Sequence, residues 1–339
     1  MQNSFSVIIP YYNTNIQYTR FCLESILNQD LYLLKEIIVI NDGSDLDKEI
    51  DLVCLVSELN DKYKRSIIKL IHQTNKGVIL ARKKGVEEAK GNIILFVDPD
   101  DWICDKNALT KLNDLFISND VDLINFQCVS SFEEVTEFKQ PKIKNKLKVF
   151  DLNWYFNENF KPGTPVTLWI YAYKKSILVD QVMWNSMKMP FDDFYFNSIL
   201  LSKKLKGLCT NQFLYGYRKN SINSITYHSS KLDIKKRISI FSKWFTTFSD
   251  WNIWRSYDCY EYWVSTFIEN AVSSIGFRNL IKLCQKNNIN CPELQEMKNF
   301  IKKYKFYSGL RWIYMNLCIN FSFLDYLLPK FYKHINNFG

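Results

Sequence analysis

"NIILFVDPDDW", residues Asn92 to Trp102, runs an apolar stretch straight into three carboxylates, Asp98, Asp100 and Asp101. The segment Ile93 to Val97 carries no polar residue, the composition of a strand covered on both faces rather than one washed by solvent on one side. Charge concentrated at the end of such a strand is costly unless something cationic lies against it. The stretch therefore asks for a buried sheet and for a positive partner at its edge.

The same alternation continues outward in both directions. "FSVIIP", "KEIIVI", "SIIKLI", "NIILFV" and "VDLINFQCV" read as strands, separated by amphipathic stretches at Asn15 to Gln29, Asp45 to Leu59, Gly77 to Lys90 and Asp105 to Ser118. Strand and helix in turn predict an α/β fold, a mostly parallel Rossmann-like sheet with helices on both faces. The handedness of crossover connections points all these strands the same way. Their carboxyl ends then share one edge, where open α/β sheets bind ligands. That edge would collect Tyr11, Tyr12 and Asn13, then Asn41 to Ser44, then Gln73 to Asn75, then the three acids. Singly, each group could be a helix cap or turn former; together they predict a binding crevice.

In the helix after "NKG", Val78, Arg82 and Val86 fall on one face. Arg82 either snorkels to solvent or aims its guanidinium at the ligand. From Asp151 the pattern changes, with extended segments at "TPVTLWIYAYKKSIL" and "CTNQFLYGYRKN" around a helix at Asp192 to Lys204, and beyond Ser229 everything reads helical. The expected organisation is a catalytic domain over 1–228, its acceptor-side part at about 151–228, and a helical C-terminal region over 229–339.

Composition narrows the classes. The 339 residues are 47% hydrophobic with 10 Gly and 8 Pro, a globular chain without a low-complexity tract. Nine scattered cysteines without a C-x-x-C pair argue against a disulfide framework or a zinc site and for reduced thiols in a cytoplasm. "MQNSFSVIIP" lacks the features of a signal peptide, and the longest uncharged apolar stretch, Trp312 to Leu324, is shorter than the roughly 18 to 20 residues of a membrane-spanning helix. The net charge of +9 is concentrated at the back end, where eight Lys and Arg311 follow Leu280 against Glu293, Glu296 and Asp325. Basic residues mixed with aromatic ones there suit peripheral contact with the cytoplasmic face of an inner membrane, or packing and homodimer formation. No recognition motif for nucleic acid accompanies them.

Acids on a short turn are neutralised well by Mg²⁺ or Mn²⁺, which take one or two protein carboxylates and complete their shells with water and phosphate oxygens. His72, His228 and His334 are too scattered for zinc, and neither G-x-G-x-x-G nor G-x-x-x-x-G-K-[ST] occurs. A metal-held nucleotide diphosphate remains.

The chain resembles the A-type fold inverting glycosyltransferases of family 2, in particular bacterial enzymes that build capsule, lipooligosaccharide and other surface glycans. The likeness rests on "SVIIPYYN", "EIIVINDGSD" and "HQTNKGVILARKKGVEEAKGNIILFVDPDDW", with looser matches at "LWIYAYKKSIL", "PFDDFYFNSILL" and "YGYRKNSINSIT". It implies that Pro10, Tyr11 and Asn13 line a nucleoside, uridine or similar, that Asp42 contacts its base, and that Asn75, Gly77 and Arg82 support the nucleotide. Asp98 would hold the ribose and Asp100 a Mn²⁺ or Mg²⁺ bridging two phosphates. Asp193 would be the general base, with Asp192 standing before it where the family usually has Glu. Trp169 resembles the acceptor-side aromatic, and Arg218, with Ser221 and Ser224, would close over the diphosphate. The implied reaction moves a sugar from a nucleotide-sugar, a UDP-linked hexose or N-acetylhexosamine, to a saccharide or lipid-linked acceptor. A sugar nucleotidyltransferase would need an N-terminal glycine-rich loop that "IIPYYNTN" lacks, and a catalytically silent glycan-binding or scaffold protein would have no use for intact Asp42, Asp98, Asp100 and Asp193.

Overall fold

In the computed structural model of the chain, the described residues are 3–64, 66–131, 146–151, 154, 167–184, 192–201, 203–219 and 282. The chain divides into units Met1–Ser229 and Ser230–Gly339, and all described residues but one belong to the first. Ser221, Ser224 and the expected C-terminal helices lie outside the described residues.

Chain order is β1 (Phe5–Tyr11), α1 (Ile16–Leu27), β2 (Leu34–Asp42), α2 (Leu46–Lys62), β3 (Ile68–Gln73), α3 (Val78–Glu88), β4 (Ile93–Phe96), β5 (Trp102–Ile103), α4 (Ala108–Ser118), β6 (Leu123–Ser131), β7 (Lys146–Phe150), β8 (Tyr171–Lys174), α5 (Asp192–Leu201) and β9 (Leu205–Arg218). The sheet runs β3-β2-β1-β4-β8-β6-β9-β5, with β7 paired to β9. β1 pairs in parallel with both β2 and β4, and β2 with β3. β1, β2 and β4 are solidly buried, β1 along its whole length, while β3 at the edge is only half-buried; burial on both faces is why the inner strands show no polar alternation.

The chain winds from β1 outward to β3 and then crosses back to β4, so strand order reverses between β1 and β4. Right-handed crossovers put α1 and α2 on one face and α3 on the other. Ion pairs Arg20–Glu58 (2.6 Å) and Lys62–Glu24 (3.3 Å) tie α1 to α2. α3 lies close on the sheet because of Gly85, where a Cβ would stand 2.3 Å from Ile8 Cγ2. The reversal opens a crevice at the carboxyl ends of β1 and β4, and "DPDD" begins at Asp98, two residues past the end of β4 at Phe96.

The second half departs from the simple alternation. β8 inserts between β4 and β6 and is antiparallel to both, flanked by short 3-10 helices at Leu168–Ile170 and Lys175–Leu178. β9 is 14 residues long and serves three partners, β6 in parallel and β5 and β7 in antiparallel. Its far end, Tyr215 to Arg218, thereby returns to the acidic turn.

Candidate active site at the carboxyl edge of the sheet

The four residues Asp98 to Asp101 form a β-turn, closed by Asp101 N–H donating to the Asp98 carbonyl at 3.0 Å. Pro99 sits at the second position, where its fixed φ favours such a turn. The turn sends its three carboxylates to three different surroundings.

Asp98 meets Arg82, whose Nη2 donates to Asp98 Oδ1 at 2.7 Å. Nη1 of the same guanidinium donates to Asp193 Oδ1 at 2.9 Å. Arg82 is only 2% exposed, so it does not snorkel outward; it bridges two acids from inside, 5.9 Å over the Phe96 ring. Its Nε is buried without a partner. Burial opposes the guanidinium charge, but Asp98 and Asp193 outweigh it and raise the Arg82 pKa. The two carboxylates keep about a quarter of their side-chain surface exposed, 26% and 24%. For Asp193, burial pushes the pKa up; Arg82 pulls it down and the Asp98 charge pushes it further up. Both acids of the pair stand in the first turn of α5, yet Asp192 is buried and Asp193 is the one that reaches Arg82.

Asp101 is 1% exposed. Its Oδ2 accepts from Tyr215 Oη at 2.7 Å and its Oδ1 from Arg218 N–H at 2.8 Å. Burial drives its pKa well up, the Asp100 and Asp98 charges add to that, and the two hydrogen bonds oppose it. Arg218 also donates from Nε to the Asp100 carbonyl at 2.9 Å, its guanidinium lying 4.1 Å over the Tyr18 ring and 5.4 Å over Trp102. Arg218 is thus buried and bonded to the turn that carries the acids. Asp100, at the third turn position, is partly exposed.

Of the two arginines beside the turn, Arg82 pairs its guanidinium with the Asp98 carboxylate, while Arg218 meets the turn through its backbone N–H and, from Nε, the Asp100 carbonyl. The residues also fit a metal. Among the described residues no group of three His, Cys, Asp or Glu side chains is placed to hold a metal, but a single rim carboxylate completed by phosphate oxygens and water is a habitual Mg²⁺ arrangement.

The other residues expected to meet the nucleotide lie in the following surroundings. Tyr11 is wholly buried, its hydroxyl donating to the Thr14 carbonyl at 3.0 Å and its pKa pushed to about 12, chiefly by burial; Tyr12 beside it is 50% exposed. Pro10 is buried within β1. Asn13 takes a left-handed φ of 49° and clamps the neighbouring loop, donating from Nδ2 to Asp45 Oδ2 and accepting from Asp45 N–H. Asp42 is buried and accepts from Gln73 Nε2, Lys76 N–H and Gly77 N–H at 2.7 to 2.8 Å, so it orders the loop that starts α3. Asn75 is exposed on that loop and Gly77, with φ 93°, is half-buried at the helix start. Trp169 is 5% exposed, stacked on Tyr215 (4.4 Å) and Tyr217 (5.5 Å). The sequence gives Tyr215 no part, and Asp101 none beyond its place among the three acids, since nothing local marks a tyrosine whose partner lies 114 residues away.

A cleft of about 630 Å³ lies beyond Trp102, lined by α1 and the segment leading into α4. Its Gln29 and Ser25 are already bonded to backbone groups.

A Rossmann-like sheet that gathers an acidic turn and a facing carboxylate at its reversal point, with a long late strand folded back on that turn, is the A-type glycosyltransferase fold. The chain belongs to glycosyl transferase family 2, whose family model matches residues 6–175. It is 28% identical over 233 residues to glycosyltransferase GlyA of Streptococcus pneumoniae, covering 66% of this chain and 32% of GlyA, and so spans about a third of that relative's length. Glycosyltransferase GlyG of the same organism is 29% identical over 305 residues, 83% of this chain and 88% of GlyG. Among solved structures, S. aureus TarS 1-349 in complex with UDP-GlcNAc superposes with a TM-score of 0.51 at 17% identity, covering 81% of this chain and 82% of that one.

Proposed function

We propose that the chain is an inverting glycosyltransferase that moves a sugar from a UDP-linked donor, a hexose or N-acetylhexosamine, to a hydroxyl of a growing bacterial surface glycan. The observation that carries this reading is the Asp98–Arg82–Asp193 bridge beside the acidic turn. The bridge supports a reading in which Asp193 accepts the proton and Asp98 serves the donor side, in a chain of this family. A UDP donor is supported by the TarS complex with UDP-GlcNAc.

In the reaction the acceptor oxygen bonds to the anomeric carbon as the bond from that carbon to the diphosphate breaks. The electron pair leaves with the diphosphate and the acceptor proton passes to Asp193. Single displacement inverts the centre, giving a β-linkage from an α-linked donor. Asp193 suits a base: its pKa is raised toward the working range by burial, while Arg82 fixes one oxygen. Asp98 would meet the ribose, and the exposed Tyr12 would line the nucleoside beside Pro10, Tyr11 and Asn13. Asp100 would hold Mn²⁺ or Mg²⁺, which when bound offsets charge on the departing diphosphate. Asp42 and Asn13 also fix the loops on either side of the nucleoside. The basic region after Leu280 would bring the enzyme to an anionic membrane surface near a lipid-linked acceptor.

Turnover of a panel of UDP-sugars with Mn²⁺ tests the reading. The Asp193→Asn variant should bind UDP as the wild type does yet transfer about 10² to 10⁴-fold more slowly. Unimpaired transfer would remove Asp193 from the mechanism.

A further inference from the structure

The proposed reaction uses Asp98, Asp100 and Asp193 and leaves one buried polar group unexplained. Tyr215, in β9, is fully buried. Its hydroxyl oxygen accepts from Asp98 N–H at 3.1 Å and its proton goes to Asp101 Oδ2 at 2.7 Å. Asp101 in turn accepts from the Arg218 N–H, and Arg218 Nε returns to the Asp100 carbonyl. The first, third and fourth residues of the turn are thus bonded to a strand more than a hundred residues away. On its other side the Tyr215 ring stacks on Trp169 at 4.4 Å and 13°; the 3-10 helix carrying Trp169 starts at Leu168, whose backbone bonds Asp193.

We propose that Tyr215 and Asp101 are a positioning pair that fixes the Asp98–Asp100 edge of the donor site against the Trp169 wall. The inference rests on the donor reading above. Neither residue touches donor or acceptor; they set where Asp98 and Asp100 stand. A hydroxyl with one donor above and one acceptor below has a single satisfied orientation, and the stacked ring prevents it from swinging. Removing the hydroxyl leaves a buried carboxyl and the Asp98 N–H each short of a partner. The turn should then relax toward water and carry Asp100 out of register.

The test is calorimetric titration of UDP in the presence of Mn²⁺ on the full-length chain and its variants, with melting temperature measured alongside. Tyr215→Phe keeps the ring and should weaken UDP binding in Mn²⁺ about tenfold. Binding of UDP without metal should change less than threefold, because Arg82 still holds the Asp98 carboxylate. Asp101→Asn, which retains one acceptor oxygen, should fall between Tyr215→Phe and the wild type. Ser6→Ala serves as the comparison for stability alone: Ser6 Oγ is buried and bonded to Glu36 and Gly91 in mid-sheet, and its loss should lower the melting temperature without changing UDP affinity. If Tyr215→Phe melts lower yet binds UDP with Mn²⁺ as the wild type does, the pair is structural only and the proposal is overturned. A wild type that binds no UDP with Mn²⁺ would instead overturn the donor reading, and this inference with it.

Discussion

Arg82 sets how much negative charge the crevice shows. With both terminal nitrogens bound to Asp98 and Asp193, one guanidinium serves two acids that would otherwise repel. Its replacement by Gln leaves both unpaired. Because each carboxylate keeps partial exposure, the loss should be about 2 to 3 kcal/mol, below what breaking a fully buried pair costs, and is measurable by urea unfolding. The same variant bears on pH. Asp193 works as an anion, and burial holds its pKa above the usual carboxylate value of about 3.9. The acid limb of the transfer rate should therefore lie above that pH in the wild type and move further up in Arg82→Gln, since the charge that opposes burial is gone. A limb that moves down would contradict the bridge. Arg82 in an apolar helical stripe was visible in the sequence as an oddity. Its two partners, 16 and 111 residues away, were not, because an ion pair depends on distance in space and leaves no local pattern.

At the scale of elements, the close seating of α3 on β1 aims Arg82 at the strand ends. Gly85 lies one turn beyond Arg82, and a methyl group there would overlap the Ile8 side chain. Gly85→Ala should cost about 1 to 3 kcal/mol by overpacking and weaken UDP binding as α3 lifts; a stability loss with unchanged binding would separate the helix from the site. The first four strands and four helices were legible to within about three residues, because core burial writes a continuous apolar run and an amphipathic period into the chain itself. The antiparallel insertion of β8 and the edge pairing of β7 and β5 were not. Which strand neighbours which is decided by contacts between distant segments, and "LWIYAYKKSIL" looks extended whatever its partner.

For the whole molecule, pH should reveal the buried acids as a stability effect. Asp101 and Asp193 bind protons more tightly folded than unfolded. Each therefore contributes stability that is complete below the unfolded pKa of about 3.9 and is lost as pH rises through the folded value. The melting temperature of the wild type relative to Asp101→Asn should accordingly increase from pH 7.5 to pH 5; a constant difference would mean that Asp101 titrates normally. The net charge of +9 predicts sedimentation with anionic vesicles that is lost in high salt, and removal of the residues after Tyr304 should weaken it. By itself the sequence determined the α/β alternation, the common direction of the early strands and the arrival of acids at one edge, because these follow from periodicities a few residues long. Only the tertiary structure decided which acid is bridged by Arg82, which is sealed inside by Tyr215, and which is left at the rim. Those environments are made by β9, α3 and α5 converging on one turn, and charge partners and desolvation are properties of that convergence.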